Sequence, residues 1–499
     1  MSDHTRHPDC GIAKAGASPP ARVCAPIPIT TVLGLSLLLP ILAPAPSAMA
    51  GDMRLTPTLT TSESYSTNVD LEPDGEEDSA FITRVTPGLG LRGEGSRGTV
   101  AVDGSLTFSH QTAGDDKGFN QDVGLSGLVE AELARDLLFL DAAASVSQQV
   151  LQSQEANSTS NQDTVQVYRV SPALRHGLGS FAVGELRYAL DQVFVASGDV
   201  SNETQHSGIL SISSLDDIDR LRWSLNGRIS EAIRTDADNV SRSDVELAGD
   251  YAATRPVHLI GGVGYQTFDD HDTEDFQSPT WRAGLRIHPN RRLDLQADYG
   301  LRDDEYSPAF QLRYQIGRRT RLIASYQETL ATSQQRLAST LGFIGLDPET
   351  GAFIDKRAGT PFDPRIDPFD IDDETSRIKE FRSVLLHERG RNQFSIAGGY
   401  GKDNTLGSGD DDETSLQLDL GWTRRLDRRT TLDAGVGYDD SEFADSPDDQ
   451  EYLFQGGVRY GLTERTGLFA GYLFHFQTSD EQDNEFNEHL ITVGIRHRF

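Results

Sequence analysis

Cysteine is almost absent: the 499-residue chain holds two, Cys10 and Cys24, both among its first 50 residues. That stretch reads as an export leader, in which Arg6, Lys14 and Arg22 precede an apolar region over residues 27–42 and Ala48, Met49 and Ala50 supply a small-residue cleavage site. Lipidation at Cys24 is not expected, because Ala21, Arg22 and Val23 precede it and the apolar region follows it. Cleavage after Ala50 leaves 449 residues without a thiol, which excludes cysteine catalysis, disulfides and thiolate metal sites. Basic residues are also scarce, 45 against 77 acidic for a net charge of −32. A nucleic-acid binder needs the opposite balance. The leader contains Arg6, Lys14, Arg22, Asp3 and Asp9, so the remainder holds 42 basic and 75 acidic residues, net −33. Long hydrophobic runs are missing too. Beyond residue 50 nothing approaches the roughly 20 apolar residues of a spanning helix.

What is present is period-two alternation. Leu293, Leu295, Ala297 and Tyr299 alternate with Asp294, Gln296 and Asp298; Leu416, Leu418, Leu420 and Trp422 alternate with Gln417, Asp419, Gly421 and Thr423. Such segments are strands with one apolar and one polar face. Marking each predicts about 22 strands, within a range of roughly 20 to 24, since the connection over residues 303–306 is short for its side. Connections after odd strands are mostly long and acidic, such as 68–78, 439–449 and 480–485. Those after even strands are short and often basic, such as 289–292 and 426–429. A soluble sandwich has no reason to sort its turns in this way. A transmembrane antiparallel up-and-down β-barrel does, with short periplasmic turns and long acidic extracellular loops. The modest hydrophobic content, 36%, suits a wall with one face on lipid and a wet interior.

Both ends fall on the short-turn side, and the chain closes on Ile491, Val493, Ile495, His497 and Phe499, one apolar parity with a terminal aromatic. This resembles the C-terminal assembly signal of outer-membrane barrels, with His497 where an aromatic is usual, and implies the barrel assembly machinery as a partner. Tyr265, Tyr299, Tyr400 and Tyr438 sit near long-loop ends and Trp223 and Trp422 near short-turn ends, as interfacial girdles require. Lipid and lipopolysaccharide are the expected surroundings and the Gram-negative outer membrane, reached by the Sec pathway, the expected location.

A barrel of this width encloses a large lumen. Only residues 51–53 precede the first expected strand, so no N-terminal plug is foreseen, and any constriction falls to a loop or a partner. Over residues 331–376 the alternation fails. This irregular stretch carries a near-repeat of Pro-Phe-Asp around Phe362, Asp363, Arg365, Asp367 and Phe369 and is too apolar for a solvated tail. An inward-folded or capping loop is the favoured reading; a partner-binding surface and disorder are the others. On the lumen parity stand Arg220, Arg222 and Arg228 of strand nine, Arg282 and Arg286 of strand twelve, and Arg313 of strand fourteen. If the turn after strand twelve centres on Asn290, Arg286 faces Asp294, Arg282 faces Asp298, and Leu285 faces Leu295 outside. A cross-strand ion lattice then accounts for the charges. The alternative is an arginine track for an anionic solute, because guanidinium forks suit carboxylates. Acidic loop tips such as Asp410, Asp411, Asp412 and Glu413, or Asp480, Glu481, Asp483 and Glu485, have oxygen ligands for divalent cations but no EF-hand spacing, and read as solvated loops. No nucleophile elbow, phosphate loop or zinc-ligand pair appears, and Ser109-His110 and His206-Ser207 point to opposite faces of their strands. Neither an enzyme nor a cofactor is expected.

Residues 56–68, which contain Ser62, Glu63, Ser64, Tyr65, Ser66, Thr67 and Asn68, lead into the acidic stretch 69–77 and then into Phe81, Ile82, Thr83, Arg84, Val85, Thr86, Pro87 and Gly88. This opening resembles that of an uncharacterised family of outer-membrane barrels associated with the PEP-CTERM/exosortase protein-sorting system. The resemblance implies a setting of exopolysaccharide biosynthesis, hence polymer export or surface assembly, with polysaccharide and periplasmic export proteins as partners. It supplies no catalytic residues. The reading is an outer-membrane channel or assembly protein serving exopolysaccharide export. A general or solute-specific diffusion porin is the alternative, and a non-conducting surface anchor the second.

Overall fold

The computed structural model describes residues 52–499 apart from 152–160, 199, 216–219, 271–274, 348–349, 358, 364–368, 407–411, 445–447 and 480–483. The leader, with both cysteines, lies outside the described residues.

The strands are β1 (Asp52–Ser66), β2 (Ala80–Gly95), β3 (Gly98–Gln111), β4 (Gly118–Ala134), β5 (Leu138–Val150), β6 (Gln162–Leu178), β7 (Ala182–Val195), β8 (Glu203–Ser214), β9 (Leu221–Arg234), β10 (Val240–Ala252), β11 (Val257–Asp270), β12 (Phe276–Asn290), β13 (Leu293–Arg302), β14 (Glu305–Gln315), β15 (Thr320–Thr332), β16 (Ile344–Leu346), β17 (Phe353–Asp355), β18 (Thr375–Arg389), β19 (Asn392–Thr405), β20 (Glu413–Arg425), β21 (Thr430–Phe443), β22 (Asp449–Gly461), β23 (Thr466–Ser479) and β24 (Phe486–Arg498). All but β16 and β17 join one 22-stranded antiparallel sheet. It closes where β1 pairs with β24, Thr58 opposite Arg498 through Ser66 opposite Leu490. Closure is what the hydrocarbon core demands, because an open edge would leave unpaired N–H and C=O groups in lipid. The last residue is drawn in as well, with the Phe499 amide donating to the Pro57 carbonyl at 3.1 Å.

Alternation then assigns the faces. Leu416, Leu418 and Leu420 on β20, Leu285 on β12, and Ile491, Val493 and Ile495 on β24 are all exposed on the outside, while the opposite parity carries small and polar residues into the lumen. Trp281, Tyr299 and Tyr306 form an aromatic cluster with centroids 6.2–6.5 Å apart near the outer ends of β12 to β14. The short outer connection there is a two-residue turn: Arg302 faces Glu305, and Asp303 and Asp304 both take positive φ, 48° and 59°. Two left-handed residues match the twist of a tight hairpin, and aspartate tolerates that region. The short connection therefore requires no change in strand count.

Two expectations fail locally. The turn after β12 lies at Arg291 and Arg292 instead of centring on Asn290, and a bulge follows Ile287, so Arg286 faces Gln296, Arg282 faces Gly300 and Leu285 faces Ala297. A two-residue slip keeps each side chain on its face but changes its partners. Arg220 is not a lumen-wall residue: it sits in the turn before β9 at φ 75°.

Lipid-facing placement is testable on β10, where Leu247 is 52% exposed near mid-strand. Leu247→Arg should destabilise the refolded barrel in lipid vesicles by about 2–4 kcal/mol in urea titrations. An unchanged midpoint would show that this face does not meet hydrocarbon.

Candidate functional site

Twenty-two strands spaced about 4.8 Å apart and tilted about 40° set a backbone radius of about 22 Å. Wall side chains cannot fill such a space. The segment between β15 and β18, residues 333–374, enters it. It is shorter at both ends than the 331–376 break in alternation, because Ala331, Thr332, Thr375 and Ser376 complete β15 and β18. It also has regular structure of its own, unlike the irregular loop expected.

Helix α1 (Ser333–Thr340) begins at a capping box: the Gln335 amide donates to Thr332 Oγ1 at 3.2 Å, and the Thr332 amide donates to Gln335 Oε1 at 3.4 Å. A 3-10 turn over Leu341–Phe343 leads into the β16–β17 hairpin. Leu337, Ala338, Leu341, Ile344 and Ile371 of this segment are buried against Leu128, Ala143, Val165, Val167, Val193 and Val195 on the inner faces of β4 to β7. Each such aliphatic contributes about 1.5–3 kcal/mol when fully buried. Phe362 packs at the edge of this cluster. Phe369 is 5% exposed and lies under the Arg336 guanidinium at 5.9 Å. Asp363 lines the cavity beneath α1. Arg365 and Asp367 lie outside the described residues.

A polar latch at the outer rim complements the apolar seat. Asp373 accepts from the Ser201 amide and hydroxyl at 2.9 Å each and from Gln334 Nε2 at 3.0 Å. Thr332 donates to Glu203 at 3.0 Å, and Arg234 Nη1 donates to the Asp373 carbonyl at 2.5 Å. Ser333 donates to Asp372 at 3.0 Å. Burial holds the Asp372 carboxyl above the usual carboxylate range, against the opposing pull of nearby Arg336. From this rim the segment descends deep into the lumen. Arg92, three residues from the periplasmic end of β2, donates to the Gly351 carbonyl at 2.9 Å. Lys356 reaches Glu130 of β4 at 3.2 Å.

Most lumen arginines are paired. Arg286 does bridge Asp294, diagonally, at 2.8 Å. Arg282 does not take Asp298: it reaches Glu246 at 2.6 Å across the side-chain-free Gly262 of β11, and Asp298 goes to Arg302. Arg222 meets Asp250 at 3.4 Å. Arg313 lies opposite Asp294 and Arg228 opposite Asp244, each without an ion pair among the described residues. Arg169 and Asp191, Arg242 and Asp303, and Arg187 and Asp141 extend the lattice, at 2.5–2.6 Å. Cavities remain around the inserted segment. One of about 430 Å³ under α1 is faced by Arg169, Arg228, Arg242, Arg336, Arg357 and Arg382. One of about 720 Å³ lies below the hairpin tip. No group of three or more His, Cys, Asp or Glu residues is arranged to hold a metal among the described residues. Asp410, Asp411, Asp480, Glu481 and Asp483 lie outside them.

A family model described as "Putative beta-barrel porin 2" matches residues 408–499. No curated protein matches. Similar solved structures include the siderophore receptor PirA from Pseudomonas aeruginosa (11% identity, 89% of this chain and 80% of that one, TM-score 0.45). The FrpB iron transporter from Neisseria meningitidis, F5-1 variant (10%, 91% and 84%, 0.47), and the ferric-catecholate import receptor Fiu from E. coli K12 (9%, 89% and 81%, 0.48) are two others. At these values the likeness carries no argument about ligand. The closed wall with its apolar outer band is that of an outer-membrane β-barrel.

Leu337→Ala should weaken the seat by about 2–5 kcal/mol and speed proteolytic cleavage of the segment in the intact barrel; an unchanged rate would contradict the docking. Asp372 contributes fully to the seat when protonated, and that contribution is lost as pH rises through its raised pKa. Asp372→Asn, which keeps the acceptor for Ser333, should therefore slow cleavage at neutral pH and change nothing at acid pH.

Proposed function

We propose that the chain is a passive outer-membrane conduit serving export or surface assembly of an extracellular polysaccharide, closed at rest by its own inserted segment, with no catalytic step. The observation that carries the conduit reading is the place of the inserted segment, seated on the inner wall. A tethered piece of the wall lies inside the lumen, held by an apolar patch, a rim of hydrogen bonds and two contacts at its tip, so it can leave without breaking a covalent bond. Loops held to a scaffold by noncovalent contacts alone are the elements that open in gating. The polysaccharide assignment rests on the resemblance carried by Tyr65, Asn68, Arg84 and Pro87 and their neighbours. Polar, hydroxyl-rich walls such as Thr56, Thr58, Thr60 and Ser105 suit a hydrated chain of sugars. Periplasmic export proteins are the partners that such a role requires.

A diffusion porin is the second reading, favoured by the description of the family model over residues 408–499. The two separate in a deletion strain. Export predicts polysaccharide retained in the periplasm with little at the surface; unchanged surface polysaccharide would remove the export reading and leave the porin.

A further inference from the structure

The ten short turns that close the periplasmic side are together net basic in a protein that is strongly acidic overall. Nine of the ten carry arginine, twelve in all, against six carboxylates, Asp136, Asp216, Asp217, Asp219, Asp427 and Glu464. Every one of the twelve is exposed. Asp427 is engaged locally, accepting from the Arg429 and Thr430 amides at 2.6 and 2.8 Å. The outer loops show the reverse sign. A charge-sorted rim of this kind attracts anions to one mouth and repels them from the other.

Just inside that mouth lies the cavity of about 720 Å³ at the seam where β1 meets β24. Arg54, Arg496 and Arg498 line it, with Arg92, the hydroxyls of Thr56, Thr58, Thr60, Ser105 and Ser126, and a roof made by Thr350, Gly351 and Ala352 of the hairpin tip. Arg498 stands opposite Thr58 and Arg496 opposite Thr60. Arg54 stands directly opposite Arg92, an arrangement that destabilises a sheet unless something neutralises it. Arg92 has its own carboxylate, Asp103 at 2.7 Å. Arg54, Arg496 and Arg498 have none among the described residues, although Asp52 and Glu94 follow on the same face toward the rim. Elsewhere the wall pairs most of its lumen arginines. Here three guanidinium groups are left open along one hydroxyl-lined space.

We propose that this seam is a binding inlet for an acidic saccharide chain, which the turn arginines steer to the periplasmic mouth and which Arg54, Arg496 and Arg498 grip by its carboxylates. The assignment rests on the conduit reading above and names its cargo class and direction of entry. Guanidinium forks take carboxylates in pairs of parallel hydrogen bonds. Inward residues two apart on a strand stand about 6.8 Å apart, so a flexible polyanion engages Arg496 and Arg498 together while Thr58 and Thr60 meet its hydroxyls. Lipid head groups do not qualify as the occupant, because Arg496 and Arg498 lie on the parity opposite to the lipid-facing Ile491, Val493 and Ile495.

The test uses the full barrel in detergent and in nanodiscs, with a fluorescent oligogalacturonate as probe and its anisotropy as readout. Binding should weaken steeply with salt and by about tenfold or more in Arg54→Gln/Arg496→Gln/Arg498→Gln; a neutral malto-oligosaccharide of equal length should not compete. Arg496→Lys/Arg498→Lys, which keeps the charge, should retain part of the binding. Heat-modifiable migration reports assembly, and if the triple variant does not assemble, Arg498→Gln alone should still weaken binding measurably. Equal competition by the neutral sugar, or binding indifferent to these arginines, overturns the inlet. Arginine-dependent binding by a barrel that never conducts in planar bilayers, even without residues 342–370, overturns the conduit reading and leaves the inlet standing.

Discussion

Every backbone N–H and C=O within the hydrocarbon core must find its partner inside the protein, and the rest of the structure depends on meeting that requirement. For a chain of strands the only solution is closure, achieved where β1 meets β24. Once closed, the wall has a single lipid face, and period two sends every second side chain to it. Apolar residues are needed on one parity only, so a chain with 36% hydrophobic content satisfies the membrane fully. Closing 22 strands also fixes the lumen, and a lumen that wide must be filled or left open.

What enters the lumen is the wall's own chain. Residues 333–374 seat Leu337, Leu341 and Ile344 on an apolar inner patch of β4 to β7, where a purely polar lumen face would have left no footing. The seat and the rim latch around Asp373 and Gln334 hold the outer part, while Arg92 and Glu130 hold the tip. Charge is arranged on the same principle of division. Most lumen arginines take carboxylate partners that brace the wall, whereas Arg54, Arg496 and Arg498 stand at the periplasmic end without one among the described residues.

The fold was legible because period two is local. Leu416, Leu418 and Leu420 declare their face without knowledge of any other strand, and turn length declares the side. The Arg286 and Asp294 pair was within reach of the same reasoning. The Arg282 partner was not, since it depends on a bulge after Ile287 and on a glycine gap on the neighbouring strand. Arg220 was misplaced because a strand start cannot be told from a turn end when both are polar. The inserted segment looked irregular, although Thr332 and Gln335 spell a capping box that announces α1. Arg54 stands more than 400 residues from Arg496 and Arg498 and comes to line the same cavity only through closure, so no local pattern could single the group out.

The central claim is that the inserted segment closes a wide aqueous lumen, and single-channel conductance in planar bilayers tests it most directly. The intact barrel should show little steady conductance, and removal of residues 342–370 should yield stable, large openings. Equal conductance with and without the segment would contradict the account.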